Sequence, residues 1–241
     1  MIQPQTRNHQ PAPTKTQKSI ALFNMKETLV GIVRKFVFFS KIHAVSKLVK
    51  NKNYLADEGW FESFRKQMPV DKYGQAIPWY TYTAIRFLAA RVGSNMNVFE
   101  FGSGNSTIWW GRHTLKVVSC EHNEQWYRVL KLQLPENVEY LYCQLEPGGE
   151  YSKAANRQKE KFHIIIIDGR DRVNCLKNSL SQLTEDGVVI WDNSDRKKYQ
   201  EGFDYLAINN FKKIDFYGFG PINSVGWCTT IFYKTNNCLG I

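Results

Sequence analysis

The chain is predicted to fold as an α/β protein built on one mostly parallel sheet, and three observations carry that expectation. The run Ile164-Ile165-Ile166-Ile167 is continuously β-branched between polar segments, as in a strand covered on both faces. Short apolar runs of this kind alternate with stretches of helical spacing. Several of the runs end in an acid, at Glu100, Glu121, Asp168 and Asp192. Seven strands with helices between all but the last two describe a doubly wound, Rossmann-like sheet closed by an antiparallel pair.

In chain order, residues 1–18 are polar and rich in Pro, Gln and Thr, with too little apolar content to pack, and are expected to be a disordered tail. Residues 19–76 are assigned to a helical extension and 77–241 to the sheet domain. Within Ile20 to Lys52, Leu29, Ile32, Phe36, Phe39 and Ile42 fall three or four apart, which makes one apolar helical face. Arg34, Lys35, Lys41, Lys47, Lys50 and Lys52 supply a basic opposite side. Such a helix caps a neighbouring domain or subunit, or lies on an anionic membrane surface; core packing is the commoner fate.

The first strand, Val98 to Phe101, breaks into the turn Gly102-Ser103-Gly104, and a helix from Ser106 to Arg112 follows. Open α/β sheets bind ligands at the carboxyl ends of their strands. The glycines let a ligand approach the main chain, and Glu100 adds an acceptor. A dinucleotide loop needs glycine at position 107, where the chain has Thr107. The second strand, Lys116 to Cys120, ends in Glu121-His122, and Glu121 lies 21 residues after Glu100. An acid at that spacing and place accepts from ribose hydroxyls, and its two oxygens suit a vicinal diol.

A third strand is expected over Val138 to Gln144 and a fourth over Phe162 to Ile167, ending in Asp168-Gly169. Leu176, Leu180 and Leu183 give helical spacing to Asn174–Leu183. The turn Glu185-Asp186-Gly187 then leads into a fifth strand, Val188 to Trp191, which ends in Asp192-Asn193. A helix over Gln200 to Asn209 precedes two last strands, Lys212 to Tyr217 and Thr229 to Lys234.

Across residues 78–234 the chain resembles the class I S-adenosylmethionine (SAM)-dependent methyltransferases. The carriers are Glu100-Phe-Gly-Ser-Gly104, Glu121, Asp168-Gly169 and Asp192-Asn193, each at a strand end. The resemblance implies the strand order 3-2-1-4-5-7-6. It places Glu100, Gly102 and Gly104 about the methionine part of SAM, Glu121 on the ribose and Gln144 or Leu145 near the adenine. Ser103, Ser106, Thr107 and Asp168 are further cofactor-binding candidates, and His122 lines the adenosine pocket or is a surface histidine. Ser106 stands where a third glycine is common. A narrower resemblance, to an uncharacterised bacterial group of these enzymes, rests on Gly59-Trp60-Phe61, the stretch Ile77 to Tyr82, Asp168-Gly-Arg-Asp-Arg172 and Trp227-Cys228-Thr229.

The strand tips also carry chemistry of their own. Asp168, Asp192 and Asn193 offer an oxygen set that suits Mg²⁺. In this the chain is similar to cation-dependent O-methyltransferases, although the lysine those enzymes carry three residues past the first acid is Asp171 here. Alternatively Asp168 faces the methionine end and Asp192-Asn193 cap the next helix. Arg170 and Arg172 hold a substrate phosphate or carboxylate, or else pair with Asp171 and Asp195. Trp79 and Tyr82 lid the pocket or belong to the core. The expected activity is methyl transfer from SAM to a hydroxyl of a small-molecule or glycan-type acceptor, catalysed by Asp168 and Asp192. The alternative is a non-catalytic SAM-binding or membrane-surface scaffold on the same fold.

At 241 residues, 43% hydrophobic, the chain can bury one domain plus an appendage. Five scattered cysteines without C-x-x-C spacing argue against a disulfide framework and a structural zinc site. With no uncharged apolar stretch of spanning length and no signal-peptide pattern, a cytoplasmic or membrane-peripheral protein is expected. The net charge of +10 is spread along the chain without an RNA-recognition signature, so a nucleic acid substrate is not favoured.

Overall fold

The computed structural model describes residues 15–50 and 52–241. It divides into two units, one ending at Asn53 and one running from Tyr54 to Ile241. Residues 1–14 of the expected tail lie outside the described residues, and Lys15 to Lys18 are already helical.

Among its described residues the first unit has one helix, α1 (Lys15–Leu48). Its sequence does not divide into one apolar and one basic face. Leu29, Phe36, Phe39 and Ile42 are exposed, but so are Val30 and Val37, which lie roughly 100° round the helix from Leu29 and Phe36. Lys35 and Lys47 fall on the side assigned as apolar. Among the described residues no helix is long and apolar enough to cross a membrane.

The second unit opens with α2 (Tyr54–Glu58), α3 (Trp60–Lys66) and α4 (Tyr82–Ala89). It continues with β1 (Asn97–Phe101), α5 (Asn105–His113), β2 (Lys116–Glu121), α6 (Glu124–Lys131), β3 (Val138–Tyr142) and β4 (Phe162–Ile167). It closes with α7 (Arg172–Ser179), β5 (Leu183–Asp192), α8 (Gln200–Ile208), β6 (Lys212–Gly218) and β7 (Trp227–Tyr233). The sheet has seven strands in the order β3-β2-β1-β4-β5-β7-β6. The first five strands are parallel to one another, and β7 runs antiparallel to both β5 and β6.

Alternation along the central strands explains their unbroken apolar sequences. Phe99, Phe101, Ile165, Ile167, Val189 and Trp191 enter one core, with Cys175, Leu176 and Leu206 of α7 and α8. Val98, Ile164, Ile166, Val188 and Ile190 enter the other, with Ile85 and Leu88 of α4 and Trp109 and Trp110 of α5. Both faces are covered, so no position on these strands needs a polar residue.

Four differences from the sequence expectations have local causes. No α-helix joins β3 to β4; the crossover holds only a 3-10 turn, Ala154–Arg157, whose two alanines are buried. The helix expected to reach Leu183 ends at Ser179 in another 3-10 turn, because Leu183 already pairs with Phe162. Glu185-Asp186-Gly187 lie within β5, where the register with β4 shifts. Helix α4 was not expected, and it takes Tyr82 from the assigned lid into the core, with no exposed surface.

The tips of β1 and β4 meet backbone to backbone. Gly102 has φ of 92°, and a Cβ there would lie 2.9 Å from the Gly169 Cα and 3.0 Å from its nitrogen. Both the left-handed conformation and the neighbouring main chain exclude a side chain. Gly102→Ala should therefore lose about 2 kcal/mol or more of stability, from backbone strain plus overpacking. Urea denaturation of the two proteins checks this, and an unchanged midpoint would contradict it.

Candidate active site

All five parallel strands deliver their carboxyl ends to one edge, and a cleft of about 340 Å³ opens there. Gly102, Ser103 and Ser106 line it, with Glu121, His122, Asp168 and Gly169. Arg170, Arg172, Asn193 and Arg196 complete the lining. Two hollows of about 380 and 530 Å³ lie at the opposite edge, beside Leu183 and Lys116 at strand starts, away from the acidic tips.

Beneath the glycine turn, Glu100 is fully buried. Register sets Ser119 beside it on β2, and the Ser119 hydroxyl donates to Glu100 Oε2 at 3.0 Å. Thr107, in the first turn of α5, donates to the same oxygen at 2.5 Å. Oε1 has no hydrogen-bond partner among the described residues. Burial pushes the Glu100 carboxyl up to about 7, against the pull of the Ser106, Thr107 and Ser119 hydroxyls. Gly104 differs from Gly102. Its φ of 173° is ordinary extended backbone, and a Cβ there would meet nothing within 4 Å.

Glu121 ends β2 and is 4% exposed. Its Oε1 accepts the backbone N–H groups of His122 at 2.8 Å and Asn123 at 2.7 Å. Its Oε2 accepts from the Ser103 hydroxyl at 2.7 Å, and Ser103 also contacts the Tyr140 hydroxyl at 2.7 Å. His122 Nδ1 lies 3.0 Å from Glu121 Oε1 without the alignment of a hydrogen bond. Gln144 is exposed and outside the cleft lining, as is Trp79.

Arg172 is the buried cation of the site, 7% exposed. Its Nε donates to the Gly169 carbonyl at 2.9 Å, and its Nη2 donates to both the carbonyl and Oδ1 of Asp168 at 2.9 Å. Nη1 donates to the Asp192 carbonyl. A guanidinium thus ties the tips of β4 and β5, and Mg²⁺ gains no support from the arrangement. Asp192 turns Oδ1 towards Trp227 Nε1 at 2.9 Å and the Thr229 hydroxyl at 2.6 Å, both on β7. Among the described residues no group of three His, Cys, Asp or Glu could hold a metal ion. Asn193 takes a left-handed turn with φ of 50°.

Asp171 and Asp195 do not pair with the arginines. Asp171 accepts from the Gly148 N–H and the Asn174 amide, and Asp195 accepts from the Cys228 N–H. Arg196 enters the lining without having been singled out from the sequence. Its signal was the basic run Arg196-Lys197-Lys198 just beyond the tip of β5.

The sheet order and the cleft at its carboxyl edge set the context for comparison with known proteins. No protein-family model and no curated protein matches the chain. Among solved structures, the precorrin-6y C5,15-methyltransferase of Geobacter metallireducens is similar over 71% of this chain and 96% of its own, at TM-score 0.54 and 12% identity. A provisionally assigned O-methyltransferase of Klebsiella pneumoniae is similar over 80% and 94%, at TM-score 0.51 and 16% identity. The chain has the fold of the class I SAM-dependent methyltransferases. At these identities the likeness is one of methyltransferase fold, with the acceptor left to the residues themselves.

Burial and the neighbouring Asp168 push Asp192 up to about 8, against its Thr229 and Trp227 donors and Arg172. The folded protein therefore keeps a proton there that the unfolded chain releases near an ordinary value of about 3.9. Stability from this group is present at low pH and is lost as pH rises towards 8. Asp192→Asn keeps an acceptor for Trp227 and Thr229 but cannot ionise. Its melting temperature relative to the original protein should rise between pH 5 and pH 8. A difference that stays constant over that range would show that Asp192 does not titrate in this way.

Proposed function

We propose that the chain is a SAM-dependent methyltransferase that methylates a hydroxyl of a small-molecule or glycan-type acceptor. The observation that carries this reading is Gly104. Neither its conformation nor any neighbouring protein atom requires glycine there, so its bare backbone is available to a ligand above the turn. Glu100, beneath the turn, keeps an unpartnered oxygen that an ammonium donor would satisfy. Glu121 stands at the ribose position, with the Ser103 hydroxyl on the oxygen that a diol would share or take over. These residues fit SAM, with the methionine end over Gly102 and Gly104 and the adenosine towards His122.

Bound there, SAM supplies a methyl group on a sulfonium. The protein aligns the acceptor and takes its proton. With Glu121 assigned to the ribose, Asp168 is the other acid of the cleft lining, and Arg172 holds its Oδ1. Burial pushes its carboxyl up, against the pull of Arg172 and Arg196, towards the range useful to a base. Asp192 is enclosed by Trp227 and Thr229 and does not line the cleft. The alternative, a non-catalytic SAM-binding or membrane-surface scaffold, draws on the sequence of α1, in which Arg34, Lys35, Lys41 and Lys47 outnumber the one acid, Glu27. Turnover of SAM to S-adenosylhomocysteine separates the two.

Calorimetry with SAM is the direct test. Gly104→Ala should fold with a stability within about 1 kcal/mol of the original, the span of an N-cap change. It should bind SAM roughly tenfold more weakly or worse, because the methyl group occupies the approach path. Absence of any heat with SAM, or equal affinity in the alanine variant, would remove this reading.

A further inference from the structure

Five charged side chains line the cleft: Glu121, Asp168, Arg170, Arg172 and Arg196. Three of them are answered inside the protein. Glu121 accepts from two backbone N–H groups and a hydroxyl. Asp168 and Arg172 are paired with each other, and the rest of the Arg172 fork is taken by carbonyls. Arg170 and Arg196 remain, exposed side chains without an ion pair among the described residues. The acids nearest to them in sequence, Asp171 and Asp195, are held by backbone and amide donors instead.

The cleft therefore presents two guanidinium groups without an ion pair among the described residues, one after β4 and one after β5; Arg196 also pulls on the Asp168 carboxyl, which Arg172 already holds directly. A neutral acceptor would leave both cations partly desolvated and unanswered, whereas an anion would accept from their planar forks. A sulfonium cofactor beside them would add positive charge and strengthen that preference.

We propose that Arg170 and Arg196 bind an anionic group of the acceptor, a phosphate or a carboxylate, at the mouth of the cleft. The assignment to the acceptor rests on the methyltransferase reading; the anion site itself does not. It also separates the three arginines by role. Arg172 is the structural tie, and Arg170 with Arg196 are the specificity-determining pair.

The test uses the full chain, inorganic phosphate as probe, and the double variant Arg170→Gln/Arg196→Gln. Both side chains are exposed, so the variant should melt at the original temperature. Phosphate should bind the original protein by calorimetry, with SAM present as well as absent. The double variant should lose about tenfold or more in phosphate affinity, the loss expected for one or two charge-assisted contacts. Its affinity for SAM should be unchanged. Phosphate that fails to bind, or that binds the variant equally well, overturns the site. If the variant instead loses affinity for SAM but not for decarboxylated SAM, the arginines hold the carboxylate of the cofactor, and the acceptor assignment is overturned. Should SAM itself fail to bind the original protein, the methyltransferase reading falls, while the phosphate titration still reads the two arginines on their own.

Discussion

The cleft depends on one guanidinium. Parallel strands β4 and β5 bring carbonyl oxygens and carboxylates to the same edge, and at close range these groups repel. Arg172 lies among them and donates to the carbonyls of Asp168, Gly169 and Asp192 and to the Asp168 carboxylate. Five donors in a rigid plane suit that task, and the flexible point charge of a lysine does not. Asp168 is fixed relative to the cleft through this contact. The left-handed Asp171 shapes the same corner, since its carboxylate holds Gly148 at one side and Asn174 at the other.

The charge pattern of the cleft is layered. Under the floor, Glu100 and Asp192 are enclosed, and burial pushes both carboxyls up. At the lining, Glu121 and Asp168 have assigned donors. At the mouth stand the exposed arginines. Desolvation rises inwards, and free charge is found only where water still reaches.

Much of the sheet was legible in the sequence, because burial on both faces leaves a direct mark. The four isoleucines of β4 alternate between two cores, so every one had to be apolar. The acids at the strand tips were legible for the same reason, as abrupt ends to apolar runs. The crossover between β3 and β4 was not, since a single 3-10 turn with two buried alanines has no periodicity to read. Helix α4 was hidden by its aromatic start, which local sequence cannot tell from a lid. The commitment of Asp192 was also hidden: its partners Trp227 and Thr229 come from a strand 35 and 37 residues further on. The different roles of Arg170 and Arg172 depend on which way each turns at the start of α7, and nothing in two neighbouring arginines records that.

One contact at the lip of the cleft has an optical consequence. The indole Nε1 of Trp126, on α6, donates to the carbonyl of Ser103 at 2.9 Å, and the ring is 41% exposed. Ser103 is the residue between the two glycines of the turn, so the fluorophore is bonded directly to the segment that a ligand would touch. The fully enclosed Trp110 and Trp191 emit from apolar surroundings that such a ligand would leave alone. Trp79 is exposed as well, so a shift in the red part of the intrinsic emission that disappears in Trp126→Phe is a label-free reading of whether the glycine turn has moved.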